Sequence, residues 1–376
     1  MKNNNVIILV AGGTGGHLFP AQSLAEELRK EKVQIILFTD NRAKKFVNSN
    51  VFDKIYALPA ATINSKNPVK IIKTIFTLMK GLYKANQLIK KYKPKLLVGF
   101  GGYPTLAPVF AARLNSIPTL IHEQNKVMGR ANKLLSRWVK AIALGFPLSD
   151  NKYSYKTLVT GIPLREEVLK QLPADYNIPN EEEKFNLLIF GGSQGASFFT
   201  EIFAETLPKL DKEILKKFSI TQQVRNNHDY QKLNKIYSDL GLQFELSEFF
   251  TNMPLLMKKA HFIISRAGAS TVTEISAMGR PALLIPFPHA LDHDQALNAE
   301  YLVESGAITV IKENDLNVEK LIYILTNLLT NSEKFKIQAK NLYEKSPADI
   351  NKNLFKLTQG MMNKKSIDII KKDLKL

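Results

Sequence analysis

The sequence predicts an α/β protein built of two doubly wound parallel-sheet domains facing a cleft, and three observations carry that expectation. An apolar run over residues 6–11 ends in Gly12-Gly13-Thr14-Gly15-Gly16-His17 and leads into a helical pattern over 18–30, with Leu24 and Leu28 one turn apart. The same events restart at residues 185–190, which end in Gly191-Gly192-Ser193-Gln194-Gly195-Ala196 ahead of another helical stretch. Further short apolar runs at 33–39, 95–100, 119–122 and 141–144, and then at 262–265, 282–286 and 307–311, alternate with helix-length segments. That alternation is the signature of βαβ units in a parallel sheet.

Composition narrows the class. The 376 residues are 45% hydrophobic and 23% charged, enough for two ordinary cores and unlike disordered or fibrous chains. No cysteine is present, which removes disulfides, thiolate metal sites and cysteine nucleophiles and fits a reducing compartment. Lys and Arg number 52 against 34 Asp and Glu, a net charge of +18 that attracts phosphate on a nucleic acid, a lipid or a substrate. The apolar run at the start is too short for a secretory signal. The longest uncharged stretch, 96–112, is broken by Gly99, Gly101, Gly102, Pro104 and Pro108 and falls short of a bilayer span, so no transmembrane helix is expected.

Domain punctuation falls near Gly161-Ile162-Pro163 or in the polar stretch 173–184, where periodicity breaks. The expected division is residues 1–161, 162–346 and a Lys-rich helical tail, 347–376, without a core of its own, packing back on the N-terminal domain. Residues 67–93 form a helical segment, apolar at 71, 72, 75, 76, 78, 79, 82 and 83, whose charges are all Lys. It reads as a core helix with a solvated basic face or as a surface for anionic lipid headgroups.

Glycines between a strand and a helix let backbone N–H groups approach a phosphate, whose charge the helix N-terminus favours. Three such sites occur, at 12–17, 99–105 and 191–196. The dinucleotide fingerprint fails because Leu18 stands where its last glycine belongs, and the Gly-Lys-Ser/Thr of a P-loop is absent. Asp40 ends the second strand candidate and reads as a turn residue. His17, at the tip of the first loop, reads as a general base or as a helix-start histidine bonded to backbone. His289 and His293 stand four apart beside Asp292 and Asp294, a spacing compatible with a metal, but no third strong ligand accompanies them. His122-Glu123-Gln124-Asn125 lacks the second histidine of a zinc motif. After the strand at 262–265, Ser270 or Thr271 with Thr273 and Glu274 reads as a capping box, and Glu274 can also accept ribose hydroxyls.

Taken together, Gly12 to His17, Gly101-Gly102-Tyr103-Pro104-Thr105, His122 to Asn125, Gly191 to Ala196 and Arg266 to Glu274 resemble the N-acetylglucosaminyltransferases that form lipid II in bacterial peptidoglycan synthesis. The likeness runs in order from residue 6 to about 301. It implies two Rossmann-like domains of the GT-B type and a hexosyltransferase that moves N-acetylglucosamine, with inversion, from its UDP donor to the muramoyl 4-hydroxyl of undecaprenyl-pyrophosphoryl-muramoyl-pentapeptide. It further implies a peripheral protein on the cytoplasmic face of the inner membrane, serving cell-wall biogenesis and with it cell shape and division. Expected partners are the lipid I acceptor and the anionic inner leaflet through residues 67–93, with no nucleic acid. No cofactor beyond the UDP-N-acetylglucosamine donor and no metal is expected.

Carried over residue by residue, the resemblance makes His17 the base. It puts donor contacts on Thr14, Gly15, Gly16, Asn125, Arg165, Ser193, Phe250, Ala269, Ser270, Thr271, Val272, Thr273, Glu274 and Gln295. Acceptor pyrophosphate contacts fall on Gly12, Gly13, Gly101, Gly102, Tyr103 and Thr105. Phe250 stands on the uracil side where the family more often has Ile, and Thr105 stands where Ser is common. Competing readings are another GT-B transferase, a UDP-N-acetylglucosamine epimerase of similar fold, or a noncatalytic nucleic-acid or nucleotide-sugar binder. The acceptor loop at 101–105 counts against the epimerase, and the scattered Lys without interleaved aromatics counts against nucleic acid.

Overall fold

The computed structural model describes residues 5–374 apart from 14, 62–66, 149–151, 181, 193–196, 291–293, 304–305, 307, 331 and 346–349. The chain forms two compact units, residues 1–166 with 348–376, and residues 167–347.

The first unit contains β1 (Val6–Val10), α1 (Gly15–Arg29), β2 (Gln34–Thr39), β3 (Lys54–Ala57), α2 (Pro68–Tyr92), β4 (Leu96–Gly99), α3 (Leu106–Leu114), β5 (Thr119–Glu123), α4 (Arg130–Leu135), β6 (Ala141–Leu144) and β7 (Thr157–Val159). The short α5 (Glu166–Leu169) stands where the chain passes to the second unit. Among the described residues the sheet has seven strands in the order β3-β2-β1-β4-β5-β6-β7. All its pairings are parallel, with Ile8 opposite both Ile36 and Leu97.

A parallel sheet covered on both faces needs apolar residues on both, and β1 shows the consequence. Ile7 and Leu9 pack with Leu18, Leu24 and Leu28 of α1. Val6, Ile8 and Val10 pack with Ala85 and Ile89 of α2 and Val109 and Ala112 of α3. The period of two thus feeds two cores from one strand.

The second unit contains β8 (Phe185–Phe190), α6 (Ser197–Thr206), α7 (Lys212–Lys216), β9 (Phe218–Gln223), α8 (Asn227–Asp239), β10 (Gln243–Ser247), α9 (Met253–Lys259), β11 (Phe262–Ser265), α10 (Ala269–Met278), β12 (Ala282–Leu284), α11 (Asp294–Val303), β13 (Ile308–Val310), α12 (Val318–Leu328) and α13 (Ser332–Lys345). Its strands run in the order β10-β9-β8-β11-β12-β13, again all parallel. The chain then returns to the first unit as α14 (Ile350–Met362) and α15 (Ile367–Leu374). Leu354, Leu357 and Met361 of α14 and Ile370 of α15 are buried in the same cluster as α1. The Asn351 side chain bonds both backbone groups of Leu164, accepting from its N–H at 2.8 Å and donating to its carbonyl at 2.7 Å.

Four strands lie outside the apolar runs of the sequence. β3, β7 and β10 are sheet edges, where partial exposure allows Lys54 and Glu245 and leaves Val159 of β7 at the surface. β9 ends in Gln222 and Gln223, both buried and both hydrogen-bonded, so its polar content hides an interior strand.

Gly99, the last residue of β4, has no room for a side chain: a Cβ there would overlap Cγ2 of Thr105 and lie 3.5 Å from Cγ2 of Val109. Gly99→Ala should therefore destabilise the first unit by about 1–3 kcal/mol through overpacking. Thr105→Ser, which keeps the hydroxyl and removes that methyl, should recover much of the loss in a double-mutant cycle by denaturant unfolding.

Candidate active site

In each sheet the winding reverses beside the first strand, and ligands of open parallel sheets bind outside the carboxyl ends at that reversal. In the first unit the reversal lies between β1 and β4, so the loops at 11–17 and 100–105 flank it. In the second it lies between β8 and β11, flanked by residues 191–192 and 266–268.

His17 is the third residue of α1, and its ring lies against the second glycine loop. Gly101 and Gly102 adopt φ of +85° and +71°, and a Cβ on either would stand 3.2–3.3 Å from the imidazole. Glycine is needed there twice over, for the left-handed backbone and for the close approach of the ring. On its other side, His17 Nδ1 lies 3.0 Å from Gln124 Oε1. Gln124 Nε2 donates to the carbonyls of Phe100 at 3.1 Å and His122 at 3.2 Å and to His122 Nδ1 at 2.9 Å. His122 Nε2 in turn donates to the Gly161 carbonyl at 2.9 Å. Burial takes the His122 imidazole well below the usual histidine value, to about 4; the Gly161 carbonyl pulls it up and His17 pushes it down.

The neighbouring carboxylates are structural templates. Glu123 is buried, and its Oε1 accepts from the Asn125 N–H at 3.0 Å while Oε2 accepts from the Gly129 N–H and Asn132 Nδ2, both at 2.9 Å. It thereby shapes the loop that presents Asn125. Asp40 is the turn residue expected, accepting at Oδ1 from the N–H groups of Arg42 and Ala43. Its Oδ2 has a further role, accepting from the Tyr103 hydroxyl at 2.9 Å and so pinning the second glycine loop to the end of β2. Thr105 anchors that loop from within, buried with its hydroxyl donating to the Gly101 carbonyl. The Arg165 guanidinium lies 5.0 Å over the Phe19 ring of α1. Gly12, Gly13, Gly15 and Gly16 occupy the first loop and helix start, whereas Thr14 is outside the described residues.

In the second unit, Ser193 is likewise outside the described residues, as are His293 and Asp292 of the candidate metal pair. Among the described residues no group of three His, Asp or Glu side chains is gathered as metal ligands. The capping box expected at 270–274 does not form. The cap is Gly268, two residues before Ser270, with no side-chain cap bond, and the Thr273 hydroxyl donates back to the Ala269 carbonyl at 3.0 Å. Ser270 Oγ is buried without a protein partner, and Glu274 and Val272 are buried on the same helix. Ala269 is buried and Thr271 partly exposed, while Phe250 is buried in the loop after β10.

Gln295 ties two loops together. Its Oε1 accepts from the Ala267 N–H at 3.2 Å and the Phe287 N–H at 3.0 Å. Arg266 is buried, donates to the Ile285 carbonyl, pairs with Glu313, and lies 5.2–5.5 Å from the centres of the Phe198, Phe199 and Phe287 rings. The residues that sequence analysis does not single out are therefore Gln124, Glu123 and Arg266, inside quoted motifs, and Asn132, outside them. Their roles depend on partners distant in sequence, such as Gly161 and Glu313.

Two doubly wound units, each with glycine-lined loops at its reversal, define a protein that handles nucleotide-linked or pyrophosphate-linked substrates. The models of the N-terminal and C-terminal domains of glycosyltransferase family 28 match residues 7–144 and 186–354. The UDP-N-acetylglucosamine–N-acetylmuramyl-(pentapeptide) pyrophosphoryl-undecaprenol N-acetylglucosamine transferase of Brucella canis is 44% identical over 372 residues, 99% of this chain and 98% of the relative. The crystal structure of Acinetobacter baumannii MurG superposes with a TM-score of 0.75 at 27% identity, covering 94% of this chain and 99% of that one. A UDP-N-acetylglucosamine 2-epimerase matches at a TM-score of 0.64 with 13% identity over 93% of this chain and 94% of its own, a likeness of fold alone. The chain belongs to glycosyltransferase family 28 and, within it, to the family of the Brucella enzyme.

The buried neutral His122 sets a pH dependence. An unfolded histidine takes up a proton below its ordinary value near 6.5, while folded His122 resists protonation until about 4, so stability falls as pH drops through that window. The loss is on the order of 3 kcal/mol between the two values. Denaturation of wild type and His122→Asn at pH 6.5 and 4.5 should show a shallower pH dependence in the variant.

Proposed function

We propose that the chain moves N-acetylglucosamine from UDP-N-acetylglucosamine onto the muramoyl 4-hydroxyl of undecaprenyl-pyrophosphoryl-muramoyl-pentapeptide, converting lipid I to lipid II in peptidoglycan synthesis. The carrying observation is the 44% identity, over 99% of the chain, to a transferase named for that reaction. The acceptor hydroxyl oxygen attacks C1 of the sugar while the bond from C1 to the diphosphate oxygen breaks, so the configuration inverts and UDP leaves. His17 takes the hydroxyl proton, its ring fixed against Gly101 and Gly102. The glycine loops at 12–16 and 101–105, Tyr103 and Thr105 included, receive the acceptor pyrophosphate through backbone N–H groups.

In the second unit Glu274 accepts the ribose hydroxyls. The uncapped start of α10, at Ala269, Ser270 and Thr271, offers N–H donors to the donor diphosphate, with Val272 and Thr273 lining the same helix. Ser193 joins that set, Gln295 donates to the sugar, and Phe250 stands beside the uracil. Thr14, Gly15, Gly16, Asn125 and Arg165 complete the donor contacts, and the Arg165 cation stabilises the departing diphosphate without calling on a metal. The first unit is the acceptor domain and the second the donor domain, the boundary expected from the sequence at 161/162 lying five residues before the division of the units at 166/167.

Transfer of labelled N-acetylglucosamine to a short-chain lipid I analogue tests the reading. His17→Ala should lower kcat by about 10²–10⁴-fold with UDP binding kept. Glu274→Ala should weaken UDP binding about 10- to 100-fold, and a chelator should leave wild-type transfer intact. No transfer by folded, UDP-binding wild type would refute the assignment.

We also propose that α2 rests on the anionic inner leaflet, making the protein a peripheral one on the cytoplasmic face. Val69, Ile72, Phe76 and Met79 are 71%, 67%, 61% and 57% exposed, and Lys70, Lys73 and Lys80 are exposed beside them. No described helix is long and apolar enough to cross a membrane. Apolar side chains inserted at the headgroup boundary, with Lys drawn to anionic lipid, supply reversible binding. Flotation should show binding to vesicles containing anionic lipid and little to neutral ones, with Ile72→Ser/Phe76→Ser weakening it roughly tenfold.

A further inference from the structure

We propose that Gln124 is the positioning residue that holds His17 in its Nδ1–H tautomer, so that Nε2 is the nitrogen left to accept a proton. The inference rests on the reading of His17 as base and names which of its atoms acts and what selects it.

The orientation of the Gln124 amide follows from three acceptors on one side. The carbonyls of Phe100 and His122 can only accept, and both lie within 3.2 Å of Nε2. The third, His122 Nδ1, is an acceptor because the Gly161 carbonyl claims the ring proton at Nε2. Turning the amide over would set its oxygen against two carbonyl oxygens and a ring lone pair. With the amide so fixed, its oxygen faces His17 Nδ1 at 3.0 Å, and that nitrogen must carry the hydrogen. A neutral His17 then bears its lone pair at Nε2. Free histidine favours the opposite tautomer, so the protein reverses an intrinsic preference through a chain from Gly161 to His122 to Gln124. Glycine at 102 keeps the chosen nitrogen uncovered, since a Cβ there would stand 3.4 Å from Nε2.

The burial of His122 supports the same chain, because an imidazolium at that site would turn Nδ1 into a donor facing the Gln124 amide hydrogens. Glu123 contributes indirectly, fixing the following turn through Asn125 and Gly129 and hence the backbone from which Gln124 extends.

The test reads tautomers directly. Nitrogen-15 imidazole spectra of the full chain, with the His17 signal assigned by its loss in His17→Ala among only six histidines, should show Nδ1–H on His17 and Nε2–H on His122. Gln124→Met should release His17 to the Nε2–H form and lower kcat about 10- to 100-fold while KM for UDP-N-acetylglucosamine holds. Nε2–H on His17 in the wild type, or an unchanged kcat in a folded Gln124→Met, would overturn the inference. Full transfer by His17→Ala with the expected spectrum would instead overturn the base reading and leave the tautomer assignment standing.

Discussion

Everything at the two sites depends on the double-sided burial of all-parallel sheets. With helices on both faces, the strand interiors admit few polar groups, and the chemistry is driven to the carboxyl ends where the loops leave the sheet. Crowding at those ends then dictates glycine. β1 and β4 are neighbours, so the loops that follow them compete for one space beside the reversal. The Gly101-Gly102 pair resolves that competition by removing side chains where the His17 ring must lie.

The loops are held by side chains that spend polar groups on another loop's backbone. Asp40 at the end of β2 holds Tyr103, Glu123 at the end of β5 gathers Asn125, Gly129 and Asn132, and Gln295 joins the loops after β11 and β12. Arg266 does the same with a cation, balanced by Glu313 and three aromatic rings. A buried hydrogen bond of this kind costs more to leave unmade than it contributes when made, which turns each such residue into a geometric constraint. The Ser270 hydroxyl, buried and without a protein partner at the start of α10, is the contrast within the second unit.

What the sequence reveals and what it hides follow the same division. Interior strands such as β1, β6 and β11 read directly as apolar runs, and α2 announces itself through Asn67, which accepts from the Val69 and Lys70 N–H groups, with Pro68 at its first turn. The edge strands β3, β7 and β10 are too mixed in polarity to stand out. The capping box misleads because Ser, Thr and Glu near a helix start have that meaning only when the backbone begins where the motif says. Here Gly268 takes the cap, and Thr273 bonds within the helix instead. Gln124 stood inside a recognised motif, yet its role depends on a carbonyl at residue 161, a contact that local pattern cannot supply.

The length of α2 is the remaining constraint that packing explains only in part. Its 25 residues span about 37 Å, while the four-residue β4 that it precedes spans about 13 Å, so the helix outruns the layer it covers. Packing accounts for its later turns: Ala85 and Ile89 enter the core, and Gly81 lies so close to the Pro59 carbonyl that no Cβ would fit. The earlier turns carry Val69, Ile72, Ile75, Phe76 and Met79 outward, with Ile71 and Leu78 partly exposed. A surplus of this kind is apolar at one end and edged by lysine, and its composition matches an anionic lipid boundary in both respects. One helix thus covers the sheet with its later turns, through Ala85 and Ile89, and leaves the apolar side chains of its first turns exposed.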